Sequence, residues 1–366
     1  MNLIELFSGA GGATTGLEAA GFKVVGIERD ESAVQTSRGA GHVVVEGDVR
    51  DLSVFDDTPV PDAMWSSWPC QPFSVAGPRT GSQDIERNGW PWTVSAIDYL
   101  KSGGMGPKWF MGENVVGLNT HRGACGESHG CLGPDDCPKA YFELVILKEL
   151  RERFEWVGWR ILDTADFGTP QHRRRIYIVG APRPIRWPEP THCSAAALGQ
   201  PDLFGRTLRK WVSVGEALKI DGRVIGGGRN DSVPHRSPRT YRDLTDEPCT
   251  TIPAAQIGNA GPWAIAGSEP WRLDLPSPAV VATEEKGARH QGNATASKTP
   301  QRASDAVFRA TGQRRLTISE CATLQGFPEG YEFIGTKGAR YRQVGNAVVP
   351  KMAELIGRAV LESWES

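Results

Sequence analysis

A cysteine held between two prolines is the side chain in this sequence best suited to nucleophilic chemistry. It lies in the stretch Trp68-Pro69-Cys70-Gln71-Pro72-Phe73-Ser74, which follows a short apolar run. The two prolines restrict their own φ angles and push the preceding residues toward extended conformations. Cys70 is therefore predicted to project from the end of a stiff strand. A buried core cysteine is the competing interpretation, and this stretch alone does not decide between them.

Two further groups of polar residues fall at the ends of predicted strands. Glu113 and Asn114 close one of them, and in open α/β sheets ligands bind at that edge. The run Gln171-His172-Arg173-Arg174-Arg175 lies just ahead of another predicted strand. In extended backbone Arg173 and Arg175 point to one face, where two arginines can clamp an anion or hold a carboxylate.

The N-terminal stretch has the pattern of a nucleoside-cofactor site. A short apolar strand leads into Ser8-Gly9-Ala10-Gly11-Gly12, a predicted helix follows, and a second strand ends at Glu28. Glycines let the backbone approach a ligand, the helix N-terminus favours an anionic group, and a carboxylate can accept from ribose hydroxyls. Asp48, after a third strand, is either a turn former or an acceptor for an exocyclic amine. For the glycines alone, a plain tight turn remains the alternative.

The composition is that of an ordinary globular protein. The chain has 366 residues, 39% hydrophobic and 23% charged, which is long enough for two domains and argues against wholesale disorder. No apolar run approaches the roughly 20 residues that cross a bilayer, and the N-terminus lacks the features of an export signal. Seven widely spaced cysteines favour a reduced compartment over a disulfide framework. We therefore expect a cytoplasmic protein with no membrane partner.

The texture of the sequence changes near Pro182, where a proline- and glycine-rich stretch with short β-like runs begins. Residues 183–315 carry 19 Lys and Arg against 13 Asp and Glu, although the whole chain has a formal net charge of −2. This basic segment indicates either an anionic partner such as nucleic acid or a solvated surface with scattered arginines. Helical pattern returns at Thr317 with a capping box, and an amphipathic helix is predicted from Lys351 to about Trp364.

Six blocks of this sequence, in this order, resemble the cytosine-5 DNA methyltransferase family. Each block is a weak signal by itself, whereas the collinear set is very specific and spans nearly the whole chain except roughly 186–310. The blocks are Phe7-Ser8-Gly9-Ala10-Gly11-Gly12, Pro69-Cys70-Gln71, Glu113-Asn114-Val115, Gln171 to Arg175, Leu324-Gln325-Gly326-Phe327-Pro328 and Gly345-Asn346-Ala347-Val348.

The resemblance implies an α/β fold in which a Rossmann-like, class I S-adenosylmethionine (SAM) methyltransferase domain carries a smaller, loop- and β-rich target-recognition domain. Residues 1–185 plus 336–366 would form the catalytic domain, and residues 186–335 the target-recognition domain with its return segment. Duplex DNA would lie in the cleft between them. SAM would be the methyl donor, leaving S-adenosylhomocysteine as product, and the final helix would lie beside the first glycine loop.

The resemblance also implies which residues surround the cofactor. The adenine, the ribose and the methionine end would each be bound by different residues. The expected cofactor-binding residues are Phe7 against the adenine, Glu28 at the ribose, Asp48 at the adenine amine, Gly9 and Gly11 at the methionine end, Asn346 and Val348 completing the methionine pocket, and Ser8 and Pro69 beside them.

For the reaction, the resemblance implies covalent catalysis by Cys70. Cytosine C5 is a poor nucleophile until a thiolate adds at C6, so the local field should lower the pKa of this thiol. Glu113 would bind or protonate N3 of the base as charge develops there. Arg173 and Arg175 would orient Glu113 or hold the O2 side of the base, and Asn114 would brace the Cys70 loop. Water is the expected base for the C5 proton.

Because C6 is hidden in the base stack, the cytosine must be flipped out of the duplex, and the loop at 75–89 would close behind it. Relatives use a Thr-Leu-like pair to assist the flipped nucleotide, and both Thr251-Ile252 and Ala279-Val280 are candidates for it. The residues expected to contact DNA or the base are Gln71, Ser74, Gln171 and Thr251.

Two residues depart from the family pattern beside these sites. Arg29 stands where relatives often carry an aromatic residue, so adenine contact is either a guanidinium stack or absent. Gly112 precedes Glu113 where a larger apolar residue is usual, which predicts a looser backbone there.

A cysteine- and histidine-containing insertion falls outside the family pattern. Four of its side chains could bind zinc tetrahedrally, but no Cys-x-x-Cys pair is present, so an inserted loop with free thiols is the favoured interpretation. The candidate ligands are Cys125, Cys131 and Cys137 with His121 or His129.

Two alternatives to DNA methylation stay open. A transfer-RNA cytosine-5 methyltransferase would use the same chemistry, and a catalytically inactive DNA-binding relative would share the fold. The basic segment favours duplex DNA, and the intact catalytic set argues against an inactive relative. We expect a monomer, bacterial or phage-encoded and nucleoid-associated, that acts beside a cognate restriction endonuclease or as a solitary methyltransferase.

Overall fold

The computed structural model describes most of the chain, and every structural statement below concerns that part. The described residues are 1–69, 88–104, 106–120, 137–199, 207–219, 223–228, 240–243, 246–250, 263–266 and 314–365. Among them no helix is both long and apolar enough to span a membrane.

A seven-stranded sheet is the centre of the fold. The strands of the first 181 residues are β1 Asn2–Leu6, β2 Lys23–Glu28, β3 Val43–Glu46, β4 Ala63–Ser66, β5 Trp109–Val115, β6 Trp156–Asp163, β7 Gln171–His172 and β8 Arg174–Ala181. The sheet has the order β3-β2-β1-β4-β5-β8-β6, and β7 lies outside it.

Helices cover both faces of this sheet. Their bounds are α1 Gly12–Ala20, α2 Glu31–Gly39, α3 Trp90–Ser102, α4 Pro138–Tyr141, which continues through a π-helical turn at Phe142–Ile146 into α5 Leu147–Arg151, then α6 Val214–Leu218, α7 Ile318–Gln325, α8 Lys337–Asn346 and α9 Pro350–Glu365. The sequence predicts most of these elements within a few residues. It does not predict α2, α6 or α8. The buried side chains of α2 are small, and none is a large apolar residue.

One edge of the sheet collects the residues of interest. Strands β1 to β5 run parallel, so the segments that follow them emerge at the same edge. Strand β8 is antiparallel to β5 and to β6, so the residues that precede it reach this edge as well. The register places Glu113 opposite Tyr177 and Val115 opposite Arg175. The topology alone therefore brings Glu113 and Arg175 to neighbouring positions.

Alternation along the strands divides the core into two layers. Ile4, Leu6 and Met64 face α3 and α5 on one side of the sheet. Leu3 and Trp65 face α1 and α9 on the other side. A tight contact joins α1 to α9, as the sequence predicts for the closing helix. A Cβ added to Gly16 would lie 2.0 Å from the Pro350 carbonyl oxygen.

A smaller, β-rich part follows the large sheet in the chain. Its strands are β9 His192–Cys193, β10 Arg209–Lys210, β11 Arg223–Gly228, β12 Thr240–Asp243, β13 Cys249–Thr250, β14 Trp263–Ala266 and β15 Arg314–Arg315. Four of them form an antiparallel sheet in the order β12-β11-β14-β15. Strand β13 pairs in parallel with β7, through Cys249 opposite Gln171. The domain boundaries at 185/186 and 335/336 stay predictions.

Candidate active site and cofactor pocket

Glu113 is a buried carboxylate at the edge of the seven-stranded sheet where β1 to β5 end. It lies near the end of β5 with only 8% of its surface exposed. The Arg175 Nε atom lies 3.1 Å from Glu113 Oε1 and forms an ion pair with it. The two atoms lack the alignment of a hydrogen bond, and Oε1 has no hydrogen-bond partner among the described residues. Since a buried polar atom without a partner is costly, this oxygen is suited to a polar group of a bound molecule.

Asn114 ties the same strand to the segment that leads to the candidate nucleophile. Its Nδ2 donates to the Trp68 carbonyl oxygen at 3.1 Å, in a buried hydrogen bond. Trp68 is 2% exposed and lies two residues before Cys70. Gly112 makes room for this ring, because a Cβ there would lie 2.9 Å from the indole. The glycine that departs from the family pattern is thus packed closely against Trp68.

Several of the sequence-predicted residues fall outside the described part of the chain, and no contact is assigned to them. Most of the predicted lid at 75–89 and the pair Ala279-Val280 are also outside it. The residues concerned are Cys70, Gln71, Ser74 and Thr251, and the proposed zinc ligands His121, Cys125, His129 and Cys131.

The one described residue of the cysteine insertion, Cys137, is buried at the start of α4. Within the described ranges no group of three His, Cys, Asp or Glu side chains is arranged to hold a metal ion.

Arg173 and Arg175 do not act on the same group. Arg173 falls between β7 and β8, and it donates from its two terminal nitrogens to the Gly345 carbonyl at 3.1 Å and to the Ala347 carbonyl at 3.0 Å. Arg175 is the residue that meets Glu113. The predicted two-arginine clamp on one carboxylate is therefore divided, because the strand is interrupted at Arg173 and the alternation of faces does not pass through it.

Gln171 takes a different position from the one expected for a residue that contacts DNA. It is fully buried, and its Nε2 donates to Gln325 Oε1 at 2.9 Å. Gln325 in turn donates to the Ala347 carbonyl at 2.7 Å. A buried hydrogen-bond network therefore joins the three sequence blocks that contain Gln171, Gln325 and Ala347. These blocks are far apart in the sequence, so the sequence alone does not predict the contact.

The glycine loop after β1 has the backbone of a ligand cradle. Phe7, Gly9 and Gly11 all have positive φ angles, of 56°, 55° and 85°, and for Phe7 this is a strained conformation of the kind found at functional sites. A Cβ on Gly9 would meet nothing within 4 Å, so space lies open above the loop. The Ser8 hydroxyl is buried and has no hydrogen-bond partner among the described residues.

Glu28 and Asp48 lie at the tips of the next two strands. The Glu28 carboxylate accepts hydrogen bonds from the backbone N–H groups of Gly9, Arg29 and Asp30, each at 2.8 Å, which fixes it beside the glycine loop. Asp48 is held by Arg50, at 2.6 Å, and by Arg29, at 3.0 Å. Hydrogen bonds from Arg50 keep the pKa of Asp48 far below its ordinary value, and Arg29 adds to the effect.

The C-terminal end of α8 closes this region from the other side. Asn346 is the last residue of α8 and is exposed, while Val348 is buried. A Cβ added to Gly12 would lie 2.4 Å from the Val348 carbonyl oxygen, so the segment 345–348 packs directly on the start of α1. The Tyr331 hydroxyl donates to the Ala10 carbonyl and supports the loop from outside.

These residues fit the nucleoside cofactor that the sequence implies. The open space above Gly9, the unpaired Ser8 hydroxyl and the carboxylates of Glu28 and Asp48 border one face of the sheet edge. Loop N–H groups at a helix start suit a carboxylate, and the two acidic side chains suit hydroxyl and amine donors. The sequence interpretation missed Arg50, because no periodicity marks a surface arginine that reaches back to Asp48.

Comparisons with known proteins identify the family of the chain. The sequence profile of the family described as C-5 cytosine-specific DNA methylase matches residues 1–362. The chain is 30% identical to the Type II methyltransferase M.NaeI of Lentzea aerocolonigenes, covering 98% of this chain and 74% of that one. It is also 30% identical to the Type II methyltransferase M.NgoMIV of Neisseria gonorrhoeae, covering 98% and 97%.

Solved structures show the same fold. A DNA modification methyltransferase encoded within an E. coli prophage matches over the full length of both chains, with a TM-score of 0.53 and 21% identity. The S. pombe Dnmt2 methyltransferase also matches over the full length of both chains, with a TM-score of 0.59 and 16% identity. The fold is thus that of the class I SAM methyltransferases. By its nearly complete match to the family, the chain belongs to the C-5 cytosine-specific DNA methylases and is a DNA (cytosine-5) methyltransferase.

Proposed function

We propose that this protein transfers a methyl group from SAM to C5 of a flipped-out cytosine within a specific duplex DNA sequence, through a covalent bond between Cys70 and C6. The observation that carries the proposal is the buried Glu113 carboxylate, which lies next to Arg175 and has one oxygen without a hydrogen-bond partner among the described residues. The next residue, Asn114, is hydrogen-bonded to the Trp68 carbonyl, two residues before Cys70. A carboxyl group beside a cation is the pair of side chains that this chemistry needs at a bound base.

The roles of the side chains follow from the chemistry of cytosine. The Cys70 thiolate adds to C6, the C5–C6 electron pair shifts to form a C4–C5 double bond, and the C4–N3 pair moves onto N3, which takes a proton or a hydrogen bond from Glu113. C5 then accepts the methyl group as the C4–N3 double bond re-forms, and N3 returns its proton to Glu113. Water removes the C5 proton, the double bond re-forms, and Cys70 leaves as the thiolate. Arg175 holds Glu113 and stabilises charge on the O2 side of the base.

The cofactor would supply a methyl group on a sulfonium centre, with S-adenosylhomocysteine as the product. Phe7 would lie against the adenine, Glu28 would accept from the ribose hydroxyls and Asp48 from the adenine amine. The N–H groups of the glycine loop and Asn346 would hold the methionine end. Pro69 would border the same pocket just ahead of Cys70.

The biological setting belongs to the same proposal. Both relatives described above are named Type II methyltransferases, which supports a role in a restriction–modification system with a cognate endonuclease, or as a solitary enzyme. Duplex DNA would lie against residues 186–335, the proposed target-recognition domain. Gln71, Ser74 and Thr251 are the proposed contacts to DNA or to the flipped base.

Methyl transfer from labelled SAM tests this proposal. Duplex DNA and transfer RNA are offered in parallel to wild-type protein, to Cys70→Ser and to Glu113→Gln. We expect label in DNA only, no label with Cys70→Ser, and a rate at least about 100-fold lower with Glu113→Gln, as is usual when a general acid is removed. Arg174→Ala, which changes an exposed residue between the two site arginines, is the matched control and should keep the wild-type rate.

Label in transfer RNA alone would replace DNA as the substrate. SAM binding with no label in either nucleic acid would leave an inactive relative as the correct description and overturn the proposed reaction.

A further inference from the structure

Arg173 is hydrogen-bonded to backbone carbonyls, whereas a residue that contacts the base would not need such partners. Arg173 is 3% exposed, and its terminal nitrogens donate to the carbonyl oxygens of Gly345 and Ala347. These are the residues immediately before and after Asn346. The guanidinium therefore holds the backbone on both sides of one residue of the proposed cofactor pocket.

One acceptor, the Gly345 carbonyl, lies in the last turn of α8, and the other belongs to Ala347, the C-cap residue just after the helix. Helix α8 ends at Asn346, and the last four carbonyls of a helix have no intrahelical donor. A cation at this end also interacts favourably with the helix dipole. The planar guanidinium reaches two carbonyls at once, which a lysine ammonium or a glutamine amide cannot do with the same geometry.

The charge is retained in spite of the cost of burying it. Burial and, to a smaller extent, the neighbouring Arg175 lower the pKa of Arg173 to about 9, although Glu113 opposes both effects. The guanidinium is therefore still charged at neutral pH. A buried cation is expensive unless it is paired. Among the described residues no carboxylate pairs directly with Arg173, so the network that keeps its charge here indicates a specific task.

A second donor acts on the same carbonyl. Gln325 Nε2 donates to the Ala347 oxygen at 2.7 Å, beside the Arg173 bond of 3.0 Å. The segment they hold is pressed against the start of α1, where a Cβ on Gly12 would lie 2.4 Å from the Val348 oxygen and 3.0 Å from Ala347 Cβ. A small displacement of Ala347 would move both Asn346 and Val348 relative to the glycine loop.

We propose that Arg173 is a positioning residue that caps α8 and thereby sets Asn346 and Val348 for SAM binding, while Arg175 alone serves the base. The inference rests on the proposed function, since it takes Asn346 as a SAM contact. It predicts that the two arginines, two residues apart, affect different kinetic quantities.

A double-mutant cycle on SAM affinity tests this inference. The dissociation constant of SAM is measured without DNA by equilibrium dialysis for wild type, Arg173→Lys, Asn346→Ala and the double variant. We expect each single change to weaken binding about tenfold, the cost of losing one charge-assisted or buried hydrogen bond. The double variant should be hardly weaker than Arg173→Lys, because Asn346 is already displaced. Effects that multiply to about 100-fold would overturn the inference.

Gln325→Leu provides a second route if the Arg173 variant does not fold. It removes the other donor to the Ala347 carbonyl, together with the acceptor of the Gln171 amide, and leaves Arg173 unchanged. The same lack of additivity with Asn346→Ala is expected. Turnover at saturating SAM separates the arginines: Arg173→Lys should keep most of kcat and raise KM for SAM, whereas Arg175→Lys should lose kcat with unchanged SAM affinity. Reversal of that pattern would contradict the inference.

These measurements also distinguish failure of the proposed function from failure of the role inferred for Arg173. If wild-type protein did not bind SAM, the proposed function would fail together with the inference. If wild type binds SAM and transfers methyl groups but the cycle is additive, only the role of Arg173 is wrong. Arg174→Ala is again the control, with SAM affinity expected to equal that of wild type.

Discussion

Glu5 gives this protein an expected pH dependence of stability that can be worked out from the structure. The side chain lies within β1, is 1% exposed, and accepts a hydrogen bond from the Thr14 hydroxyl at 2.6 Å. Burial raises the pKa of Glu5 from its ordinary value of 4.5 to about 8, against the opposing effect of the Thr14 hydrogen bond. The carboxylates of Glu18 and Glu28 contribute a smaller part of this increase in pKa. The folded protein therefore keeps this carboxyl protonated at neutral pH.

The sign and size of the effect follow from the two pKa values. The unfolded chain releases this proton above pH 4.5, while the folded chain retains it up to about pH 8. The contribution of Glu5 to stability is therefore complete below pH 4.5 and is lost as the pH rises toward 8, by about 1.4 kcal/mol for each pH unit in that window. The complete loss is about 5 kcal/mol, of which about 3 kcal/mol falls between pH 5.5 and pH 8.

Glu5→Gln isolates this contribution. Glutamine keeps the size and the acceptor for Thr14 but cannot titrate. Urea unfolding is followed at pH 5.5 and pH 8 for wild type, Glu5→Gln and the exposed control Glu329→Gln. We expect the variant to gain about 3 kcal/mol over wild type between the two pH values, and the control to gain nothing. An equal difference between variant and wild type at both pH values would refute the reasoning.

Two further predictions concern packing and cofactor affinity. In thermal unfolding, Gly16→Ala should destabilise the protein by about 1–3 kcal/mol or more, because the added Cβ would lie 2.0 Å from the Pro350 carbonyl oxygen. The control Gly103→Ala should be nearly neutral, because a Cβ there meets nothing within 4 Å. Arg29→Ala should change SAM affinity by less than about threefold, since its ion pair with Asp48 is exposed, whereas Asp48→Ala should weaken it about tenfold. A loss of more than tenfold with Arg29→Ala would instead indicate a direct stack on the adenine.

Much of the catalytic sheet can be predicted from the sequence because its signals are local. The apolar runs of β1 to β5, the glycines with positive φ after β1 and the final amphipathic helix each follow from neighbouring residues. Once the strands are parallel, Glu28, Asp48 and Glu113 must reach one edge. Helices α2, α6 and α8 escaped prediction. The buried side chains of α2 are small, and none is a large apolar residue that would mark the buried face.

The partners of Arg173 could not be predicted in the same way. Alternation of side chains along a strand holds only while the strand is continuous, and here the ladder is interrupted between β7 and β8. Arg173 therefore turns to carbonyls that lie more than 170 residues further along the chain. Contacts of this separation depend on how the whole chain returns to the sheet. No spacing rule in the sequence supplies them.

The covalent bond to Cys70 is the central claim, and a modified substrate tests it most directly. In duplex DNA whose cytosines carry fluorine at C5, no proton can leave after methyl transfer, so the bond to C6 cannot be released. Incubation with SAM, digestion and peptide mass spectrometry then show which of the seven cysteines carries the nucleotide. We expect a single adduct, on the peptide that contains Cys70, and we expect it to form only when SAM is present. An adduct on another cysteine, or methyl transfer without any adduct, would contradict it.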